Sequence, residues 1–284
     1  MCFVNASLGF AVCNSAKLLK TTDGGNSWSE VTTFPAMTNN LVDVQFLSST
    51  TGYVLTYKDV FADGSVYKTT DGGTTWSQIL LGGNFDAAAI NFPTVNCGYI
   101  AGSTAIFKTS DAGANWFAVT DPSYNCDPYK IAFATPDTGL VTDYFNGYTY
   151  FTTDGGNTWT DQYNHIVTYA SQIKFISKTE GLATGTGTIY RTSDKGVTWT
   201  TVNSSTTETE FMLSGVDATT SLGFAVGDMS IFVSKNKGTT WEYRFTQKGI
   251  NLDDWLTDVH VLNSTTAIAS SKSGIFYKME IVEQ

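Results

Sequence analysis

Arginine is almost missing from this chain: 284 residues carry two, Arg191 and Arg244. Lysine and arginine together number 16 against 26 acidic residues, giving a formal net charge of −10 and a pI of about 4.5. A polyanion binder neutralises phosphates with clustered cations. No such cluster is present, so nucleic acid and anionic membrane surfaces are poor partners. Histidine is as scarce, with His165 and His260 far apart in sequence. The four cysteines, Cys2, Cys13, Cys97 and Cys126, form no Cys-x-x-Cys. No metal site and no cofactor are therefore expected. No apolar run approaches the roughly 20 residues of a membrane helix, so no membrane insertion is expected. No stretch keeps apolar residues three and four apart, so helix content should be near nil. No leader peptide is legible; the chain opens inside a repeat, which reads as a processed or engineered start.

What is present is repetition. Hydrophobic residues make up 42% of the chain and aromatics 14%, while charged residues are only 15%. One phrase recurs: Lys20-Thr-Thr-Asp23-Gly-Gly-Asn-Ser-Trp28, Lys68-Thr-Thr-Asp71-Gly-Gly-Thr-Thr-Trp76 and Lys108-Thr-Ser-Asp111-Ala-Gly-Ala-Asn-Trp116. It returns as Phe151-Thr-Thr-Asp154 to Trp159 and Arg191-Thr-Ser-Asp194 to Trp199, then in decayed form as Val233-Ser-Lys-Asn236 to Trp241. From Asp23 to Asn236 the steps are 48, 40, 43, 40 and 42 residues. A period of this size marks a repeat architecture.

A second landmark falls between these phrases. Phe3, Phe46, Phe92, Phe133 and Phe175 each stand six residues before a glycine (Gly9, Gly52, Gly98, Gly139, Gly181), and Val261 stands six before Ala267. Near Gly223 the frame slips and Val216 lies seven before it. Each unit then reads as four short β-branched and aromatic runs broken by Gly, Asn, Asp and Pro. Stacking such sheets buries faces that no single sheet can bury alone. The expectation is an all-β, seven-bladed β-propeller of four-stranded antiparallel blades, with six blades as the alternative. As one domain over 1–284, its blades fall near 1–34, 35–81, 82–121, 122–163, 164–203, 204–245 and 246–284. The last blade lacks a Trp-led fourth strand.

The phrase Ser/Thr-x-Asp-x-Gly-x-Thr-Trp resembles the Asp-box, or bacterial neuraminidase repeat, and the resemblance spans the chain. It implies a hairpin between the third and fourth strands of a blade. An Asp there accepts hydrogen bonds from its own turn, the glycines allow positive φ, and the Trp packs on the sheet. The pairs Asp23/Trp28, Asp71/Trp76, Asp111/Trp116, Asp154/Trp159, Asp194/Trp199 and Asn236/Trp241 are accordingly expected to be structural. Asp-box sialidases clamp a carboxylate with three arginines, which two cannot build. Xyloglucanase-like Asp-box glycosidases set two carboxylates across a cleft; Asp59, Asp63, Asp143, Asp253 and Asp254 would be its acidic loop residues. The whole chain is most similar to the photosystem II stability and assembly factor family. That resemblance implies a single seven-bladed propeller holding a partner protein through an arginine-rich patch, from which this chain departs.

The expected function is a non-catalytic protein- or glycan-binding module, secreted, cell-surface or periplasmic. A carbohydrate-active enzyme is the alternative, and a photosystem II assembly scaffold a further one. No catalytic residue is assigned. Ligand contacts are expected where loops lengthen opposite the Asp turns: Tyr57, Asp59, Phe61 and Asp63, then Tyr144 and Phe145, then Asp253, Asp254 and Trp255. Tyr124, Tyr163 and Tyr169 should share that face. Cys2 and Cys13 flank a hairpin centred near Ser7. A disulfide between them is one expectation in an oxidising compartment; buried thiols are the other.

Overall fold

The computed structural model describes residues 1–13, 16–35, 40–57, 65–79, 81, 85–102, 105–119, 128–143, 147–161, 170–202, 212–228, 230–244 and 254–281. These residues form 27 strands and no helix. Consecutive strands pair antiparallel into seven sheets, each in simple up-and-down order, as expected for the blades of a seven-bladed β-propeller. Blade one runs Cys2–Phe3, Gly9–Cys13, Lys17–Thr21, Ser29–Glu30 and blade two Leu41–Phe46, Gly52–Thr56, Val66–Thr69, Ser77–Ile79. Blade three holds Ala87–Asn91, Gly98–Gly102, Ala105–Thr109, Phe117–Val119 and blade four Pro128–Phe133, Gly139–Asp143, Thr149–Thr152, Thr160–Asp161. Blade five holds Gln172–Phe175, Gly181–Thr184, Ile189–Thr192, Thr200–Thr201 and blade six Leu213–Ala218, Gly223–Gly227, Ser230–Ser234, Glu242–Tyr243. Blade seven holds three strands among the described residues, Leu256–Val261, Thr266–Ser271 and Phe276–Glu280.

The phenylalanine–glycine spacing has a steric cause. Phe3 lies opposite Gly9, Phe46 opposite Gly52, Phe133 opposite Gly139 and Phe175 opposite Gly181. Each ring lies over the glycine: a Cβ on Gly52 would come within 2.6 Å of Phe46, and one on Gly139 within 2.4 Å of Phe133. The ring covers backbone that a glycine leaves bare. The Asp-turn tryptophan then meets the same ring edge-on, at centroid distances of 5.8 Å for Phe3–Trp28, 6.3 Å for Phe46–Trp76, 5.9 Å for Phe92–Trp116 and 6.3 Å for Phe133–Trp159. Such pairs add about 0.5–1.5 kcal/mol beyond area burial. Blade six differs from the sequence expectation. Ala218, not Val216, faces Gly223, because the hairpin is one residue tighter. The Trp241 ring approaches the bare glycine instead, 3.0 Å from where its Cβ would be.

No disulfide joins Cys2 and Cys13, which corrects that expectation. Cys2 faces Phe10, whereas Cys13 lies three residues further along and faces Lys17. Three strand residues span roughly 10 Å, beyond disulfide reach. The Cys2 sulfur accepts the backbone N–H of Phe46 in the next blade at 3.4 Å.

The contacts divide the chain into two compact units, residues 1–146 with 150–161, and residues 147–149 with 162–284. In each unit the core lies between neighbouring blades. In the first, Phe10, Leu18, Phe46 and Val54 pack between blades one and two, and Tyr53, Leu55, Phe92 and Ile100 between blades two and three. In the second, Phe224, Val226, Val259 and Ala267 pack between blades six and seven. Apolar burial of this kind contributes about 1.5–3 kcal/mol per large side chain.

First-strand side chains also cross between blades of the first unit. The residue just before the phenylalanine accepts the next blade's backbone N–H: Gln45 Oε1 from Phe92 at 2.9 Å, and Asn91 Oδ1 from Phe133 at 2.9 Å. Cys2 holds the same position in blade one.

Candidate functional site

Six turns between third and fourth strands share one hydrogen-bond plan. In blade two the Thr69 hydroxyl donates to Asp71 Oδ1 at 2.8 Å and accepts from Gly73 N–H at 2.9 Å. Thr75 then closes the turn from the other side, its N–H donating to Oδ1 at 2.9 Å and its hydroxyl to Oδ2 at 2.6 Å. Asp23, Asp111, Asp154 and Asp194 repeat this, with Asn115 supplying its amide in place of a hydroxyl at Asp111. Each carboxylate is therefore filled by its own hairpin. Hydrogen bonds from the Ser27, Thr75, Asn115 and Thr158 side chains, with those from the backbone, hold Asp23, Asp71, Asp111 and Asp154 at about 2. At Asn236 the carbonyl oxygen still accepts from Ser234 and Thr240 N–H, but the amide now donates to the Thr240 hydroxyl at 2.8 Å.

The residue after each Asp takes a left-handed conformation, including the non-glycines Ala112 (φ 56°), Lys195 (φ 68°) and Lys237 (φ 60°). In blades one to five its N–H docks on the first hairpin of the same blade, as Gly72 N–H does on Thr50 O at 2.8 Å. In the first unit its carbonyl is a landing point for the preceding blade. Lys20 reaches Gly72 O at 3.2 Å, Lys68 reaches Ala112 O at 2.6 Å and Lys108 reaches Gly155 O at 3.1 Å. The Tyr53 hydroxyl joins Lys68 on Ala112 O at 2.6 Å. Beneath each lysine lies an aromatic ring (Phe10, Tyr53, Tyr99), 5.3–5.7 Å from the ammonium. That ring stacks on the phenylalanine of the next blade's first hairpin: Phe10 on Phe46, Tyr53 on Phe92, Tyr99 on Phe133. The repeated lysine is thus an inter-blade tie, a role its sequence position alone did not reveal.

Both arginines are committed within the second unit. Arg191, at the lysine position of blade five, pairs with Glu180, which also binds Lys237 of blade six. Lys237, hydrogen-bonded to the carboxylate, holds Glu180 below the usual carboxylate range. Arg244 pairs with Glu242 at 3.0 Å. Neither contributes to a cluster of cations.

Of the loop residues expected to contact a ligand, Asp59, Phe61, Asp63, Tyr144, Phe145 and Asp253 lie outside the described residues, as do Tyr124, Tyr163 and Tyr169. Tyr57 directly follows the second strand of blade two and is 49% exposed. Its N–H donates to Asn40 O at 2.8 Å. Asp143 is not a loop charge: it is the buried last residue of a strand, facing Pro128. Asp254 and Trp255 are half-buried at the start of blade seven. Asp254 accepts from Ser273 and from the Tyr277 hydroxyl, the latter at 3.2 Å. The Trp255 indole N–H donates to Ser214 Oγ of blade six at 2.8 Å, and Lys272 lies over its ring. Trp255 therefore ties blade six to blade seven with part of its surface still open. Among the described residues no group of three or more His, Cys, Asp or Glu is placed to hold a metal ion, and no helix is long and apolar enough to cross a membrane.

Residues 32–173 match the family profile described as photosynthesis system II assembly factor YCF48. No curated protein matches the chain. Among solved structures, YCF48 bound to D1 peptide is similar over 99% of this chain and 92% of its own, with TM-score 0.75 and 17% identity. YCF48 from Cyanidioschyzon merolae follows at TM-score 0.72 and 19% identity, over 98% of this chain and 93% of its own. The GH74 enzyme of Niastella koreensis aligns at TM-score 0.55 and 16% identity, with 99% of this chain covering 56% of that one. These structural likenesses establish the shared fold. The family match overturns the expected secreted, cell-surface or periplasmic placement, because the matched family is that of an assembly factor for photosystem II.

Proposed function

This chain belongs to the photosystem II assembly factor YCF48 family, and from that premise we propose that it is a non-catalytic scaffold holding a peptide segment of a partner protein. One observation carries the non-catalytic half: the recurring carboxylates are each saturated by donors of their own turn. A glycosidase needs one carboxyl to give up a proton and another to attack or activate water, and a carboxylate held at about 2 by three donors of its own hairpin suits neither task. The partner half draws on the YCF48 structure that carries a D1 peptide. By that analogy the ligand is a peptide of the D1 type.

The contact mode proposed here differs from an arginine patch, since Arg191 and Arg244 face glutamates. Tyr57 in the first unit and, separately, Trp255 with Asp254 in the second are the proposed contacts; Asp59, Phe61, Asp63, Tyr144, Phe145 and Asp253 are proposed from the sequence alone. Aromatic anchors suit a peptide partner because each gives a large rigid contact at low entropic cost. A labelled D1 peptide and a panel of polysaccharides, each titrated against the intact chain, test the reading. Saturable peptide binding, weakened at least tenfold by Tyr57→Ala or Trp255→Ala and without polysaccharide cleavage, is expected. Turnover of any polysaccharide would overturn the non-catalytic reading; glycan binding with no peptide binding would overturn the protein-partner reading.

A further inference from the structure

In the second unit, the position that accepts a neighbour's N–H elsewhere holds Lys174, Asp217 and His260 in blades five, six and seven. Asp217 keeps the acceptor role, its Oδ2 taking the N–H of Val261 at 3.0 Å. Lysine has no acceptor, so Ala218 N–H turns instead to Asp217 Oδ1 at 2.9 Å. Lys174 Nζ donates to that same oxygen at 2.8 Å. His260 Nδ1 lies 3.1 Å from Asp217 Oδ2 and 3.4 Å from Lys174 Nζ. The Asp217 side chain is only 6% exposed, that of His260 22% and that of Lys174 34%.

The donors and acceptors choose the tautomer. The ammonium only donates and the carboxylate only accepts. Nδ1 sits closer to the carboxylate, so a neutral imidazole with its proton on Nδ1 satisfies the cluster. A second proton must then go to Nε2, making a cation beside Lys174 on a carboxylate that already serves two backbone N–H groups. Within its own unit the charged groups acting on His260 are Lys174, Asp217 and, two residues back on its own strand, Asp258, whose Oδ1 takes Val259 N–H at 2.8 Å; the N-terminal ammonium adds a smaller push in the same direction as Lys174. The strands packed on it, Leu213–Ala218, Gly223–Gly227 and Thr266–Ser271, bring no charge except Asp217.

We propose that Lys174, Asp217 and His260 form an acid-sensitive latch: with His260 neutral, Asp217 ties the first strands of blades five, six and seven together, and a proton on His260 loosens that tie. Burial first, and then Lys174, push His260 from 6.5 to about 4, against the smaller pull of Asp217 and Asp258. The unfolded chain therefore takes up this proton near 6.5, and the folded chain only near 4. The latch's contribution is complete above pH 6.5 and is lost as pH falls toward 4. Asp23, Asp71, Asp111 and Asp154, held at about 2, titrate below that window.

A histidine NMR titration of the intact chain tests this, with His165→Gln identifying the His260 signal. The expected result is an Nδ1–H tautomer with a midpoint near 4 that Lys174→Met raises by about one unit or more. His260→Asn keeps a donor toward Asp217 but cannot titrate, so its melting temperature should fall less between pH 6.5 and 4 than that of the parent. A parent midpoint at or above 6, or one that Lys174→Met leaves in place, overturns the proposal, and both readouts stand even if His260→Asn does not fold.

Discussion

At the scale of the residue, the Asp turn is a small closed circuit, and its tolerance for change follows from which atoms donate. Asp194 accepts Thr198 N–H at 2.8 Å and the Thr198 hydroxyl at 2.6 Å. An asparagine keeps an acceptor for the N–H and reverses the second bond, as Asn236 already does with Thr240. Thermal unfolding should therefore rank Asp194→Asn close to the parent and Asp194→Ala about 1–2 kcal/mol below it; equal losses would mean that the oxygen contacts contribute nothing. The same bonds set an acid limit. Because hydrogen bonding lowers Asp23, Asp71, Asp111 and Asp154 from 3.8 to about 2, their contribution is present above pH 3.8 and disappears as pH falls toward 2. Acid unfolding monitored by tryptophan fluorescence should show this second, lower transition, and it should weaken as Asp turns are changed to Asn.

At the scale of the element, the blade depends on a ring laid over a glycine. Gly52→Ala would place a methyl within 2.6 Å of Phe46, a clash costing about 1–3 kcal/mol. Phe46→Leu in the same chain should recover part of that loss, whereas Phe46→Leu alone should destabilise by opening a space. Strict additivity in a denaturant double-mutant cycle would contradict the pairing. This spacing was legible in the sequence as a pattern without a reason, since only the antiparallel register shows that the two residues are opposite. The Val216 frame failed for the same cause: a hairpin shortened by one residue puts Ala218 opposite Gly223. The inter-blade acceptors were not legible, because Cys2, Gln45, Asn91 and Asp217 share an acceptor atom but no residue type. The Cys2–Cys13 expectation treated the hairpin as symmetric about Ser7, where the register places Phe10 opposite Cys2.

At the scale of the whole molecule, the repeat was readable because a turn that needs Thr, Asp, Gly and Trp in fixed order leaves a rigid trace. The binding residues were not. Loops carry no such constraint, and the residues singled out from loop length fall largely outside the described part of the chain. Charge is the clearest global property: a net −10 with both arginines paired disfavours acidic partners. Peptide binding should consequently weaken as acidic residues are added to the peptide, and this penalty should shrink at higher salt; an affinity indifferent to peptide charge would contradict it. The propeller is a scaffold whose recurring aspartates fasten hairpins. The most direct test of that role is the affinity of a D1 peptide for the parent chain and for Asp111→Ala, with the melting temperature recorded on the same samples. Affinity unchanged within twofold, alongside a lowered melting temperature, is the predicted outcome. Peptide binding abolished in a variant that melts with the parent would contradict it.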